Sequence, residues 1–179
     1  MHDDLVLEIL KEFLIINVAT NIKLKKPQDD FKVEDYYDDD STMQNYELVN
    51  PAVFIGWIPP KNNSIGDYDV PSIVVMMDEG EDDGEEASLK IRLGITTFDP
   101  GEQSDTDIVA DYTGYRDILN LITRIRMELS KKLVSNLEIE KPIKWGMYEE
   151  QQYPYWCGWI TFEVKISSLN FSEELNKYL

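Results

Sequence analysis

Strict alternation of side-chain character near residues 156 to 166 constrains this chain more than any other feature. One parity of that stretch is apolar or glycine: Trp156, Gly158, Ile160, Phe162, Val164 and Ile166. A period of two is the repeat of a β-strand that buries one face. Ile143, Trp145 and Met147 alternate in the same way before the turn EEQQYP. The two stretches together predict a β-hairpin.

An acidic segment joins another pair of predicted strands. Ser72 to Met77 is a short apolar run, typical of a central strand, and residues 89 to 97 alternate like a half-buried strand. Between them, DEGEDDGEE (78 to 86) carries seven carboxylates and no base. We predict a long hairpin with an acidic tip at about residues 78 to 88. Because like charges repel, we expect this tip to be disordered or extended in the free subunit.

Helical periodicity appears twice. Apolar residues are dense from Asp3 to about Ala19, which predicts a mostly buried helix with an Asp near its start. From about Gly114, a stripe with steps of four, three, four and four predicts the main helix of the chain, formed by Ile118, Ile122, Ile125, Leu129 and Leu133. We expect this stripe to pack on the sheet.

These elements predict an α+β fold. We expect a mixed, mainly antiparallel sheet of two long hairpins, with helices packed on one face. A further strand is predicted at Pro51 to Ile58, a polar loop at Pro100 to Asp111 and a short last helix from Ser172. We predict a single domain over residues 1–179, with a long acidic excursion at about 20 to 50.

The charge excludes several classes of function. With 17 basic and 35 acidic residues, the formal charge is −18, which disfavours wrapping of nucleic acid because that binding relies on Lys and Arg. Residues 29–40 hold seven acids against Lys32, and the segment at 78–86 holds seven more. The remainder of the chain is close to balanced, as in an ordinary globular domain.

Catalytic and cofactor motifs are scarce. Cys157 and His2 are single residues of their types, which leaves neither a disulfide nor a Cys/His zinc set, and the sequence has no P-loop or dinucleotide-binding motif. We therefore expect no catalytic residue and no cofactor. Charged residues interrupt the first apolar run, and the sequence has no stretch of about 18 uncharged apolar residues. We therefore expect a soluble protein without signal peptide or membrane span, made in a reducing compartment.

Carboxylate pairs leave a metal site open. Asp67 with Asp69, and Asp105 with Asp107, each place two side chains on one side of an extended segment, where a divalent ion could bind. The acidic segment lacks the ligand spacing of an EF-hand. We therefore assign no metal ligand, and a metal-dependent enzyme that uses these Asp residues is an alternative function.

Aromatic side chains crowd the second hairpin. Tyr153, Tyr155 and Trp159 are of the types enriched at protein interfaces, although sheet packing explains them equally well. Trp159 has the opposite parity to Ile160, so either it is the better interface candidate or a helix covers that second face of the strand. Candidate interface residues are therefore those of the aromatic turn and the acidic tip: Asp82, Asp83, Glu85, Glu86, Tyr153, Tyr155 and Trp159.

Two segments carry a family resemblance. GYRDILNLITRIRMELSKK and IEKPIKWGMYEEQQYPYWCGWITFEVKI, with the strands before them, resemble tail-terminator or tail-completion proteins in phages and prophages of Gram-positive bacteria. The similarity covers residues 70 to 166, with its most specific parts at Tyr115-Arg116-Asp117 and at P-x-K-W followed by Y-P-Y-W. It implies an α/β or α+β subunit that assembles into a ring, as a hexamer, on the tail tube.

The resemblance implies a non-enzymatic virion protein with defined partners. Those partners would be further copies of itself, the tail tube protein and a neck or head-completion protein, with DNA passing through the ring without specific binding and no membrane involved. An acidic lumen would suit DNA passage, but the acidic segments could equally provide solubility or meet a basic surface on the next ring. Besides the metal-dependent enzyme, an acidic inhibitor that mimics nucleic acid is the remaining alternative.

Overall fold

The described part of the chain forms two α-helices and nine β-strands. A computed structural model describes residues 3–27, 46–58, 69–104, 107–109, 112–131, 134 and 136–168. The helices are α1 (Asp3–Asn17) and α2 (Tyr112–Leu129), and a 3-10 turn follows α1 at Ala19–Asn21. The strands are β1 (Leu24–Lys25), β2 (Leu48–Val49), β3 (Ala52–Ile55), β4 (Ser72–Asp82), β5 (Ala87–Phe98), β6 (Glu102–Ser104), β7 (Asp107–Val109), β8 (Glu138–Met147) and β9 (Tyr155–Ile166).

One five-stranded sheet organises the molecule. Its strand order is β3-β4-β5-β9-β8, and all neighbours are antiparallel except β3 with β4. The hairpins β4–β5 and β8–β9 are joined through β5 and β9, which pair over their full lengths from Ala87↔Ile166 to Phe98↔Tyr155. The pairs β1–β2 and β6–β7 form two small separate sheets.

Both helices pack on one face of the sheet. Helix α1 lies over β3 and β4, and α2 lies over β5, β9 and the edge strand β8. The apolar parities of β5 and β9 point towards the helices, as alternation requires. Ile118, Ile122 and Ile125 of α2 are fully buried there. The predicted α+β fold, with a mainly antiparallel sheet of two hairpins and helices on one face, is confirmed.

The acidic hairpin differs from its prediction. Strand β4 continues to Asp82 and pairs with β5 down to Ala87, so the turn is only 83–86 rather than a tip at about 78–88. A register shift between Met77 and Glu79 marks a bulge where the buried part of the strand meets the acidic part. Of the two expected states, disordered or extended, the structure shows the extended one as far as Asp82, where basic residues of β5 pair with Asp78 and Glu79.

Several other elements differ from their predictions in extent or burial. Helix α1 buries one stripe only, and Ile16 remains 62% exposed, so it is not mostly buried. The predicted loop at 100–111 contains the short pair β6–β7, and β8 begins at Glu138, ahead of Pro142. The acidic run 29–40, Leu133 and the predicted last helix from Ser172 lie outside the described residues.

The base of the excursion at 20–50 is tied to the fold. Strand β1 pairs with β2 antiparallel, with Leu24 opposite Val49. The side chain of Asn50 donates to the carbonyl oxygens of Ala19 and Ile22, both at 2.8 Å. The chain therefore leaves and rejoins the folded body at neighbouring points.

Candidate interaction site

The acidic turn, defined here as residues 81–86 (the last two residues of β4 and the loop 83–86), is held by its own carboxylates. Oδ1 of Asp83 accepts hydrogen bonds from the backbone N–H groups of Glu85 and Glu86 at 2.9 and 2.8 Å. Oδ1 of Asp82 accepts from Gly84 N at 2.9 Å and from the Ser168 hydroxyl at 2.7 Å. Asp and Asn favour such turns because the side chain can bond the backbone two residues on.

These bonds keep Asp83 ionised. The backbone N–H groups of Glu86 and Glu85 lower the pKa of the Asp83 carboxyl below its ordinary value, despite the nearby charge of Asp82. Gly84 takes a φ of 90°, a conformation that glycine adopts without steric cost. The turn is thus a defined anionic feature.

Bases from β5 and β9 balance the acids behind the turn. Arg92 donates from Nε and Nη2 to Oδ2 of Asp78 at 3.0 and 2.9 Å, and Lys90 lies 3.8 Å from Glu79. Lys165 Nζ lies 2.7 Å from Glu86 Oε1. Glu86 is the main cause that raises the pKa of Lys165. The carboxylates of Glu81 and Glu85 take part in no ion pair among the described residues.

The tyrosines of the aromatic turn, Tyr153 and Tyr155, make structural contacts, and part of their surface is exposed. The Tyr153 hydroxyl donates to the carbonyl oxygen of Pro100, although the side chain is 38% exposed. Tyr155 packs on Phe98, its cross-strand partner, with ring centroids 5.5 Å apart. Burial, with a smaller contribution from the charge of Asp69, raises the pKa of Tyr155. Of the two tyrosines, only Tyr153 offers substantial open surface.

The acidic and aromatic turns lie at opposite ends of the sheet. Ala87, next to the acidic turn, pairs with Ile166, whereas Phe98 pairs with Tyr155 at the far end. Eleven residue steps at about 3.3 Å each separate Tyr155 from Ile166, which is about 36 Å. The structure therefore does not bring the two sets of predicted interface residues together.

Trp159 lies between these ends, on the face of the sheet opposite the helices. Its cross-strand neighbours are Gly94 on β5 and Gly146 on β8. A Cβ atom at position 146 would lie 2.9 Å from Cζ2 of Trp159, so the indole rests over the glycine backbone. The missing side chain of Gly146 therefore leaves the space that the Trp159 ring occupies, whereas a Cβ atom at Gly94 would meet Met76 and Val74. Trp159 and Ile160 have opposite parity in the sequence because Ile160 faces the helices and Trp159 faces the other side of the sheet.

A groove beside Trp159 collects basic side chains. Its volume is about 370 Å³. The charged residues of its lining are Lys90, Arg92, Lys141, Lys144, Asp78, Glu140 and Glu163. With four bases against three acids, the groove is net positive in a chain of charge −18. We call this feature the basic groove.

Two lysines of the basic groove come from an irregular edge strand. Pairing of β8 with β9 shifts register between Glu140 and Lys144, where β8 carries Lys141 and Pro142. Lysine, proline and bulges are devices that stop an edge strand from pairing with another sheet. Lys141 and Lys144 are both exposed and have no carboxylate within 4.0 Å in the described part of the chain. These cations are available for an external partner.

The sequence reasoning missed the basic groove. Its signal was the sequence K-P-I-K at 141–144 and the bases at alternate positions 90 and 92 of β5. These four bases come from two strands, β5 and β8, which are far apart in the sequence, and only the pairing of each with β9 brings them together.

The metal candidates are only partly within the described residues. Asp67 and Asp105 lie outside them, and only the backbone of Asp107 is described. Asp69 lies beyond the aromatic turn, close enough to influence Tyr155. In the described ranges, no group of three His, Cys, Asp or Glu side chains could hold a metal ion. Cys157 is half-buried on the groove face, with Sγ 3.7 Å from Oγ1 of Thr96.

A buried carboxylate lies near the aromatic turn and was also missed. Asp99 is 1% exposed, and its Oδ1 accepts hydrogen bonds from Lys25 Nζ and from Gly101 N. Its carbonyl oxygen accepts a long hydrogen bond, 3.4 Å, from Trp156 Nε1. Asp99 therefore joins β1, β5 and β9 and has a structural role.

Comparison with known proteins adds no assignment. No protein-family model matches the chain, and no curated protein is significantly similar to it. No helix in the described ranges is both long and apolar enough to cross a membrane.

Proposed function

We propose that the protein is a non-enzymatic structural subunit of a phage tail. In this role it forms a ring, as a hexamer, that terminates or completes the tail tube and joins it to the neck. The virion tail is its final location, and its partners are other copies, the tail tube protein and a neck or head-completion protein.

The observation that carries the proposal is the arrangement of two charged surfaces. The acidic turn projects at one end of the sheet, and the basic groove opens on the helix-free face. A subunit with two different interaction surfaces can contact one neighbour with each, and such head-to-tail contacts close into rings when the rotation permits. The resemblance of residues 70–166 to tail-terminator proteins supports the same role.

The charge of the chain supports passage of DNA through the ring. A lumen lined by carboxylates does not release counterions from the duplex, so DNA slides past without being held. The chain holds 35 acidic residues against 17 basic ones, so most of its charge repels phosphate.

Assembly on tail tubes tests the proposal. The full chain is measured by size-exclusion chromatography with light scattering at several concentrations, alone and with tail tubes of the encoding phage. We expect ring-sized particles, tube ends capped in electron micrographs, and shorter tubes when the protein is present during polymerisation. A chain that stays monomeric, leaves tube ends bare and does not change tube length would overturn the proposal.

A further inference from the structure

We propose that the acidic turn of one subunit binds in the basic groove of a second copy of this chain. This inference rests on the proposed ring and specifies the contact that builds it. Trp159 would form an apolar wall of the contact, with charge pairs around it. Of the interface candidates predicted from the sequence, the acidic residues would lie on one side of this contact and Trp159 on the other.

The groove has the chemistry to receive carboxylates. Lys141 and Lys144 are exposed cations without a carboxylate partner in the described residues. Thr161 can donate a hydrogen bond, and Trp159 supplies apolar area at the same lining. At about 30 Å³ per water, a groove of about 370 Å³ holds about a dozen waters, which is enough room for several acidic side chains.

The acidic turn is shaped before it binds. Its backbone is already held by Asp82 and Asp83, so little ordering is required when a partner arrives. Glu81 and Glu85 are exposed, and their carboxylates are in no ion pair within the described structure. The partner-binding charge is therefore expected on these two residues, while Asp82 and Asp83 maintain the turn.

The contact must form between copies. Paired strands β4 and β5 hold the turn at the end of its own sheet, away from Lys141 and Lys144 on the edge strand. Because the turn and the groove are different surfaces, each subunit can offer its turn to one neighbour and its groove to the other. That contact is heterologous, as ring closure requires.

Two opposite charge reversals test the contact. The turn variant carries Glu81→Lys and Glu85→Lys, and the groove variant carries Lys141→Glu and Lys144→Glu. Each variant alone places like charges together, so we expect at least about a 10-fold loss of assembly affinity on tail tubes. The matched control carries Lys23→Glu and Arg116→Glu, two exposed bases away from the groove, and should assemble like the unaltered chain.

Mixing the two variants gives the decisive measurement. The turn variant keeps a basic groove for the acidic turn of the groove variant, and the reversed turn then meets the reversed groove. We expect an equimolar mixture to recover rings in which the two variants alternate, resolved by native mass spectrometry with one variant isotopically labelled. Circular dichroism on each variant confirms that the fold is kept.

The outcomes separate this contact from the ring itself. If the unaltered chain and the groove variant both form normal rings, the proposed contact is wrong, whereas the proposed ring is supported. Normal groove-variant rings that no longer join the neck would assign the groove to the neck protein instead. An unaltered chain that is monomeric both alone and on tail tubes would overturn the ring, and this contact with it.

Discussion

Nζ of Lys25 lies 2.7 Å from Oδ1 of Asp99, across 74 positions of the sequence. The aspartate side chain is fully buried and the lysine is 27% exposed. Gly101 N donates to the same oxygen at 2.8 Å, and Oδ2 of Asp99 accepts no hydrogen bond from the described residues. Lys25 also lies near the ring of Tyr46, 6.0 Å from its centroid. This pair attaches the base of the excursion to the end of β5.

Removing the cation should destabilise the fold. Lys25→Met leaves a buried carboxylate without its counterion, and breaking a buried pair costs about 3–5 kcal/mol. Because Lys25 is partly exposed, we expect the free energy of unfolding to fall by about 3 kcal/mol, measured by urea denaturation. Lys23→Met, at an exposed neighbour, should change the free energy of unfolding by less than about 0.5 kcal/mol. Adding Asp99→Asn to Lys25→Met should recover part of the loss, and no recovery would contradict this explanation.

The buried stripe of α2 gives a second prediction. Ile122 is 1% exposed, and its Cδ1 atom lies against Gly158 of β9. Ile122→Ala should lower the free energy of unfolding by about 2–5 kcal/mol, as other large-to-small core changes do. Thr123→Ala, on the exposed side of the same helix, is the control. A loss below about 0.5 kcal/mol at position 122 would mean that the helix faces another way.

Gly114 should reverse the usual effect of replacing a helical glycine by alanine. Alanine normally favours a helix by about 1 kcal/mol over glycine. At position 114, however, a Cβ atom would lie 2.2 Å from Nε1 of Trp156 and 2.9 Å from Cβ of Asp99. We expect Gly114→Ala to destabilise the protein by about 1–3 kcal/mol, as overpacking does. Trp156→Phe removes the indole nitrogen, so the same change in that background should cost less in a double-mutant cycle.

The acidic turn should respond to pH through Asp83. Hydrogen bonds lower the folded-state pKa of this group, so its stabilising contribution is complete above the ordinary value of 3.8 and is lost as pH falls through the folded-state pKa. Carboxyl NMR titration should give a midpoint for Asp83 below that of the same residue in a short peptide of residues 80–89. Equal midpoints in the protein and the peptide would show that the turn is not formed in solution.

Trp159 should separate assembly from stability. Its indole lies on the helix-free face over Gly146 and lines the basic groove. We expect Trp159→Ala to weaken assembly by at least about 2 kcal/mol, typical of an interface anchor. Trp57→Ala, at a tryptophan that is 76% exposed elsewhere, should leave assembly unchanged. A large drop in melting temperature with unchanged assembly would instead make Trp159 a purely structural residue.

Local patterns in the sequence predicted the two helices and the five strands of the main sheet, and they identified the buried faces of β9 and α2. Alternation along 156–166 identified the buried side of β9, and the steps between Ile118 and Leu129 identified the buried stripe of α2. Both succeed because side-chain direction repeats with the period of the backbone, so one strand or helix carries the information by itself. For the same reason, the opposite parity of Trp159 and Ile160 placed Trp159 on the other face of β9.

Only the tertiary structure decided which strands pair and which charged side chains form ion pairs. The acidic half of β4 was predicted as a tip because its own neighbours in sequence supply no base. Arg92 reaches Asp78 and Lys90 reaches Glu79 only through strand pairing. The basic groove likewise joins four strands, β4, β5, β8 and β9, and the Lys25–Asp99 pair joins residues far apart in the chain. Local periodicity records the burial of each element, whereas contacts between distant elements depend on how the sheet is assembled.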